Sequence, residues 1–425
     1  MASEQPSVTR FREYLRIKTV QPDPDYETAI TWLQNQAKEI GLEFNIVRFN
    51  STDSFTLWLT WLGSDPSLKS VLLNSHIDVV PVDPSKWTYD PFSAHKDERG
   101  NIYARGSQDM KCVGIQYLEA IRVLKAQGLV PLRTVHVSFV PDEEVGGLKG
   151  MLKFVQTEDF RKLNVGFGLD EGVANPEDSF HLYYGERAIW QVKYTTRGQT
   201  GHGSLLHENT AAEKIHKIIN KMLALRESEK ARFKENNLQL GDVTTINMTM
   251  LGGGLQPNVV PPELSVVFDI RVTPNWKLSD VEKMLNDLKE EAGSETTYEF
   301  FQRSDVTATT PLTDDNPWWV AFKATADSLG ITLNTAIFPA ATDSRYIRDL
   351  GIPCLGFSPM NNTPILLHDH DEFLNENVYL RGIEIYQAIL PNIINLPKSL
   401  NFASSLPTKI DGCVGAVIET PKSRS

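Results

Sequence analysis

Cysteine is scarce: the 425 residues include only Cys112, Cys354 and Cys413, widely spaced. That excludes a disulfide framework and a cysteine-ligated zinc site, and it points to a reducing compartment. Basic charge is also short. Against 54 Asp and Glu stand 42 Lys and Arg, a formal net charge of -12. Such a balance repels polyphosphate, and without a local basic patch nucleic acid is excluded as a partner. Long apolar runs are missing too. No window of about 20 apolar residues could span a bilayer, and the opening MASEQPSVTRFREYLRI has no apolar signal core. The chain reads as soluble, unprocessed and cytoplasmic, with no membrane partner.

The length, with 41% hydrophobic residues, exceeds one ordinary domain and predicts two, or one carrying an insertion. From Val8 to about Leu42 apolar residues fall at helical spacing, interrupted by QPDPDYE, so two helices are expected. Three short apolar runs follow, SVLLNSHID at 70–78, TVHVSFVPDEE at 134–144 and VGFGLDEG at 165–172. Each ends in a polar cluster and reads as a buried strand of an α/β sheet. Open α/β sheets place their ligands at strand C-termini, where those clusters lie.

Near residue 187 the texture changes. An alternating strand (Trp190, Val192, Tyr194) precedes a helix from Thr210 to about Arg226. After it come the strands VTTINMTML and ELSVVFDIRV, a helix LSDVEKMLNDLKEEAG with a capping box expected from Ser279 and Glu282, and the strand TYEFFQ. This β-α-β-β-α-β order is the ferredoxin-like arrangement, expected as a domain at 188–302 inserted between the two parts of a first domain, 6–187 and 303–398. Residues 399–425 lose periodicity and read as an extension beyond the fold, expected to be mobile.

The candidate metal donors are imidazoles and carboxylates: His76, Asp109, Glu144, Glu171 and His368. Singly, each has a plainer reading as a packed histidine, a helix cap or an acidic turn. Together, most follow apolar runs that a sheet would bring to one edge, and the donor set suits zinc, and also cobalt or manganese. His76 and Asp78 are two apart, so in extended backbone they share a face, and Asp78 can accept the proton on the far nitrogen of a ligating imidazole. Glu143 and Glu144 adjoin at the end of an apolar strand and would repel unless cations neutralise them. One carboxylate would bind metal while the other moves the proton of an activated water. Asp170 competes with Glu171, and His370 with His368; neither pair is resolved by the residues alone. His202 lies in a glycine-rich turn, and Arg271 alternates with Asp269 along an apolar strand, either as a structural pair or as a fork for a substrate carboxylate.

The set SHIDVVPV, ARGSQDMK, VPDEEVGG, LDEG, GHGS, PNVVPP and LLHDHDE, in this order from about Pro6 to Pro397, resembles the aminoacylases. They belong to the dinuclear-zinc peptidase family that also contains succinyl-diaminopimelate desuccinylase and carnosinase. The resemblance implies an α/β, zinc-peptidase-like three-layer catalytic domain with an inserted ferredoxin-like lid and dimerisation domain. It implies two zinc ions per subunit held by His76, Asp109 as the bridge, Glu144, Glu171 and His368, the last chosen because Glu372 follows four residues on. It further implies Glu143 as general base, Asp78 orienting His76, and His202 reaching the site of the partner in a homodimer. Asn258, Arg271 and Arg345 would hold substrate. The implied reaction is hydrolysis of N-acyl-L-amino acids; the alternatives are a dipeptidase or carboxypeptidase of the same family, or a non-catalytic scaffold.

Overall fold

The computed structural model describes residues 4–305 and 308–398. The expected extension at 399–425 lies outside them. Eight strands form one mixed sheet in the order Glu43–Arg48, Phe55–Trp61, Val135–Val140, Ser70–His76, Val165–Asp170, Cys354–Gly356, Phe180–Glu186 and Leu333–Phe338. The three expected strands are central neighbours and run parallel, with His76 opposite Val140 and Leu73 opposite Leu169. Their C-termini therefore emerge along one edge.

Alternation along these strands builds three layers. Leu57, Leu59, Val71, Leu73, Val135, Val137, Phe139 and Leu355 pack on one face. Helices Pro6–Arg16, Tyr26–Ile40, Lys111–Ala126, Pro317–Ser328 and Glu376–Ile394 cover it. Trp58, Leu72, Val140 and Cys354 point the other way, onto the short helices Met151–Phe154, Glu158–Lys162 and Ser344–Asp349. The helix Lys111–Ala126 lies unusually close to the sheet. A Cβ added at Gly114 would lie 2.6 Å from the Ser75 hydroxyl and 3.0 Å from Phe139, so only glycine permits this approach. The contact fixes the height of the segment just upstream, which carries Asp109.

A second sheet, fully antiparallel, has the order Thr245–Gly253, Glu263–Val272, Ala188–Arg197, Thr296–Arg303. Helices Ala211–Glu235 and Leu278–Ala292 pack on it through Ile215, Ile218, Met222, Val281, Leu285 and Leu288. This is the expected ferredoxin-like arrangement. Where the chain passes between the two sheets, buried Arg187 donates to the Pro339 carbonyl at 2.9 and 2.5 Å and to Thr245 Oγ1 at 2.9 Å, tying the sheets together.

Two local expectations are corrected. The capping box sits at Thr210 and Glu213, whereas Ser279 lies within a helix whose N-cap, Lys277, makes no side-chain cap bond. Glu282 is drawn away to Arg303, 2.9 Å off on the adjacent strand. The helix expected to end near Arg226 continues to Glu235. Its apolar stripe runs out, but buried Glu229 accepts from the Thr244 amide at 2.7 Å and pairs with Arg232 at 2.8 Å, so a polar anchor replaces the apolar one. Among the described residues no helix is long and apolar enough to cross a membrane.

His136 tests the buried strand that leads to Glu143. It is 5% exposed, 3.0 Å from Thr60 Oγ1, and burial lowers its pKa from 6.5 to about 4. Between those values the unfolded chain binds a proton that the folded chain refuses. The stability this burial preserves is thus complete above about pH 6.5 and lost as pH falls toward 4. His136→Gln should reduce the loss of unfolding free energy between pH 7 and 4.5 by roughly 2 kcal/mol in urea titrations. An identical pH dependence in the variant would refute this.

Candidate active site

The parallel strand ends deliver His76, the Asp142–Glu144 turn and Glu171 to one crevice, and the loop before helix Lys111–Ala126 brings Asp109 from the side. His76 is 1% exposed. Its Nε2 lies 3.0 Å from Asp109 Oδ1 and 3.5 Å from Glu171 Oε2. The other oxygen of Asp109, Oδ2, lies 3.1 Å from His368 Nε2, which also meets Glu144 Oε2 at 3.0 Å. One carboxylate thus faces two imidazoles with its two oxygens. The tightest donor groups are His76, Asp109, Glu144 and His76, Glu143, Glu171, each with atoms within 4.8 Å of one another. His368 joins through its contacts to Asp109 and Glu144.

Both ambiguities left by the sequence have a geometric answer. Asp170 is turned into the sheet, where it accepts from Asn74 Nδ2 at 3.2 Å, the Glu171 amide at 2.9 Å and Ser344 Oγ at 2.9 Å. Glu171 is left facing His76. His368, rather than His370, makes the contacts to Asp109 and Glu144.

Asp78 is fully buried and differs in detail from expectation. The His76 Nδ1 contacts the Asp78 carbonyl oxygen at 2.9 Å, while the carboxylate Oδ1 stands 3.5 Å away. That carboxylate instead accepts from the amides of Glu143 and Glu144 at 3.1 and 3.3 Å, and from Gln21 Nε2 at 2.9 Å. Asp78 therefore orients the histidine through its backbone and the catalytic turn through its side chain. Asp142 folds the turn back by accepting from the Lys149 and Gly150 amides at 2.6 and 2.9 Å.

Charge crowding is the dominant property of the crevice. Burial and the neighbouring Glu171 hold the Glu143 pKa well above the usual carboxylate range. Burial and Asp109 raise Glu144 to about 7, and likewise lift Glu171 well above its ordinary value. Against its own burial, His368 and His76 hold Asp109 low. Hydrogen bonds to Asp109 and Glu144 lift His368 to about 10. His76 also rises: its burial opposes the charge, but Glu171, Asp109 and Asp78 outweigh it. Carboxylates this crowded call for positive charge among them, which divalent cations would supply by displacing protons. Glu144 Oε1 is buried without a hydrogen-bond partner. An unsatisfied oxygen beside nitrogen and oxygen donors, with Cys112 and Cys354 both accounted for as buried free thiols, fits a metal centre of hard or borderline type.

The remaining expected residues stand apart from this cluster or serve other partners. His202 is exposed, with Nδ1 2.8 Å from Ser204 Oγ, and Asn258 accepts from the Gly203 amide at 2.8 Å on the same two-stranded ribbon. The ribbon brings His202 and Asn258 together, and the hydrogen bonds they make are local to it. Arg271 adopts the structural pairing, with Nε 2.7 Å from Asp269 Oδ1 and Nη2 3.2 Å from Oδ2. Arg345, 5% exposed, donates to the Gly146 carbonyl at 2.6 Å, directly behind the Glu143 turn.

Two positioning groups escaped the sequence reading. Glu372, fully buried, accepts from the amides of Gly106, Gln108 and Asp109 at 3.1, 2.6 and 3.3 Å and pairs with Arg105 at 2.8 Å. It sets the loop that presents Asp109, and its only sequence signal is its place in HDHDE. Gln21, from the turn between the first two helices, carries none.

The model of Peptidase family M20/M25/M40 matches residues 72–392. Aminoacylase-1 of Mus musculus is 52% identical over 396 residues, spanning 93% of this chain and 97% of the relative. Among solved structures, the M20 family metallo-carboxypeptidase of Sulfolobus solfataricus aligns with a TM-score of 0.70 at 17% identity, covering 92% of this chain and 99% of that one. A dinuclear metal-binding peptidase of the M20 family from Bacillus subtilis aligns at 0.65 and 14% identity, covering 92% and 99%. With the whole fold, the ordered motifs and the paired donor groups around Asp109 in agreement, the chain belongs to Peptidase family M20/M25/M40.

Proposed function

We propose that the protein hydrolyses N-acyl-L-amino acids to a carboxylate and a free amino acid at a two-zinc centre. The observation that carries this reading is Asp109, whose oxygens lie 3.0 and 3.1 Å from two different histidines. In this assignment His76 and Glu171 would hold one ion and Glu144 and His368 the other, with Asp109 shared between them. The dinuclear description of the Bacillus subtilis relative supports the count. The 52% identity to Aminoacylase-1 supports the substrate class over a dipeptide.

Zinc bound there would supply Lewis acidity toward the acyl carbonyl and toward water. Glu143 takes one proton from the attacking water as its oxygen bonds to the acyl carbon. When the carbon–nitrogen bond breaks, Glu143 returns that proton to the departing amine. Asn258, Arg271 and Arg345 are assigned to the substrate carboxylate, which requires Arg271 to loosen from Asp269. His202 is assigned to the oxyanion of the partner subunit's site, with residues 188–302 acting as lid and dimerisation domain. Two features favour a homodimer. The edge strand Thr245–Gly253 has no neighbour on its outer side among the described residues, and it exposes Met250 and Leu251 at 61% and 65%, a row a second copy would cover. Cytoplasmic residence is proposed from the free, buried Cys112 and Cys354.

With N-acetyl-methionine as substrate, Glu143→Gln should lower kcat by about 10²–10⁴ while zinc content stays unchanged. Substantial retained turnover would sink the assignment, and a preference for dipeptides at equal concentration would move the substrate to the peptidase alternative. If the site is shared, mixing His202→Ala and Glu143→Gln chains should restore part of the activity that each lacks. Two well-folded variants that fail to complement would argue for sites complete within one subunit.

A further inference from the structure

The turn that carries Glu143 is closed by local bonds, from the Gly146 amide to the Glu143 carbonyl at 2.8 Å and from the Gly147 amide to the Asp142 carbonyl at 2.7 Å, but it gains little from packing. Gly146 and Gly147 have φ of 107° and 67°, a region open to glycine at little cost, and Val145 and Leu148 are 56% and 54% exposed, so little packs over its outer side. Its first half is tethered by Asp78 through the amides of Glu143 and Glu144. Its second half is tethered from beneath by the start of helix Ser344–Asp349. The Gly146 carbonyl accepts two hydrogen bonds of 2.6 Å, one from Arg345 Nη2 and one from the Tyr346 hydroxyl. Arg345 Nη2 also donates to that hydroxyl at 3.1 Å, with its guanidinium 4.6 Å from the centre of the Tyr346 ring. A Cβ added at Gly147 would collide with Asp343 Oδ1 and come within 2.9 Å of Tyr346 Cε2, so this helix start fits the turn closely.

We infer that Tyr346 is a positioning residue for the hydrolysis, clamping the catalytic turn through the Gly146 carbonyl so that Glu143 stays aimed at the reacting atoms. The inference rests on the reading of Glu143 as proton carrier. Tyr346 packs with Leu350 and Ile352 against the cluster around Phe154 and Phe160 and also borders a cavity of about 1050 Å³; removing the hydroxyl alone leaves that packing in place and isolates its bond to Gly146. Arg345 alone is a weaker tether. Assigned to substrate as well, it would have to divide its donors, whereas the tyrosine hydroxyl donates only to Gly146. The clamp therefore keeps the turn in place when substrate draws on Arg345. Because the same turn carries Glu144 and Arg345 shares the hydroxyl, the clamp also touches a metal donor and a substrate-binding group; its mark as a positioning device is that kcat falls further than metal or substrate binding.

The test is Tyr346→Phe in the full-length, zinc-loaded protein with N-acetyl-methionine, beside wild type and Glu143→Gln. A misaimed proton carrier should cost roughly ten- to a hundred-fold in kcat. Assayed with saturating zinc, kcat should fall by more than KM rises, and the melting temperature should match wild type. Gly147→Ala, which pushes the turn off Asp343 and Tyr346, should reproduce the kcat defect with the same split. Wild-type kcat in Tyr346→Phe, a raised KM at unchanged kcat, or a kcat defect that saturating zinc abolishes would each overturn the clamp. If Glu143→Gln is inactive while Tyr346→Phe is normal, only the clamp fails; if Glu143→Gln is active, the reading beneath it fails.

Discussion

Electrostatic repulsion among Asp109, Glu143, Glu144 and Glu171 is the constraint on which the rest of this site depends. Held close together in a buried crevice, they cannot all be ionised without positive charge among them. His76 and His368 supply part of it, and both are driven toward their charged forms by the carboxylates they face. Divalent ions would supply it more completely, converting a destabilising cluster into a binding site whose ligands give up their protons as the ions bind. The fold has to hold these groups together against their repulsion, and its close contacts behind the site serve that end.

The sheet does the coarse placement. Three adjacent parallel strands put His76, the acidic turn and Glu171 along one edge, and the glycine contact at Gly114 seats the helix behind Asp109 against the same strands. Fine placement falls to buried polar groups that bind backbone amides and carbonyls. Asp78 holds the turn bearing Glu143 and Glu144, Glu372 holds the loop bearing Asp109, and Asp170 anchors the strand end before Glu171. Each of these carboxylates spends its lone pairs on the chain, and Asp109, Glu143, Glu144 and Glu171 are left to face the centre. Adjacent acidic residues in DEE and DE thus divide into one that builds and one or two that react.

The sequence made much of this legible because strand ends are marked by abrupt changes from apolar to polar residues. His76, Asp109 and Glu144 were identifiable as candidate donors from the residues, Glu171 and His368 only through the family resemblance, and the structure brings all five together. The choice between Asp170 and Glu171 was not legible from the residues, since it depends on Asn74 and Ser344, far away in the chain. Glu372 and Tyr346 were invisible as positioning groups because they act on backbone atoms, which leave no pattern in side-chain chemistry. Helix ends misled for a related reason: Ser279 and Glu282 have the spacing of a cap, but Arg303 from another strand captures the glutamate. The exposed ribbon holding His202 and Asn258 reads as a loop in isolation, and its proposed partner is a second copy of the chain.

The central claim is that Asp109 lies between two metal ions. Anomalous diffraction at the zinc edge from crystals of the zinc-loaded protein measures this directly. Two peaks should flank the Asp109 carboxylate, one beside His76 and Glu171 and the other beside Glu144 and His368. A single peak, or two that share no Asp109 oxygen between them, would contradict the account.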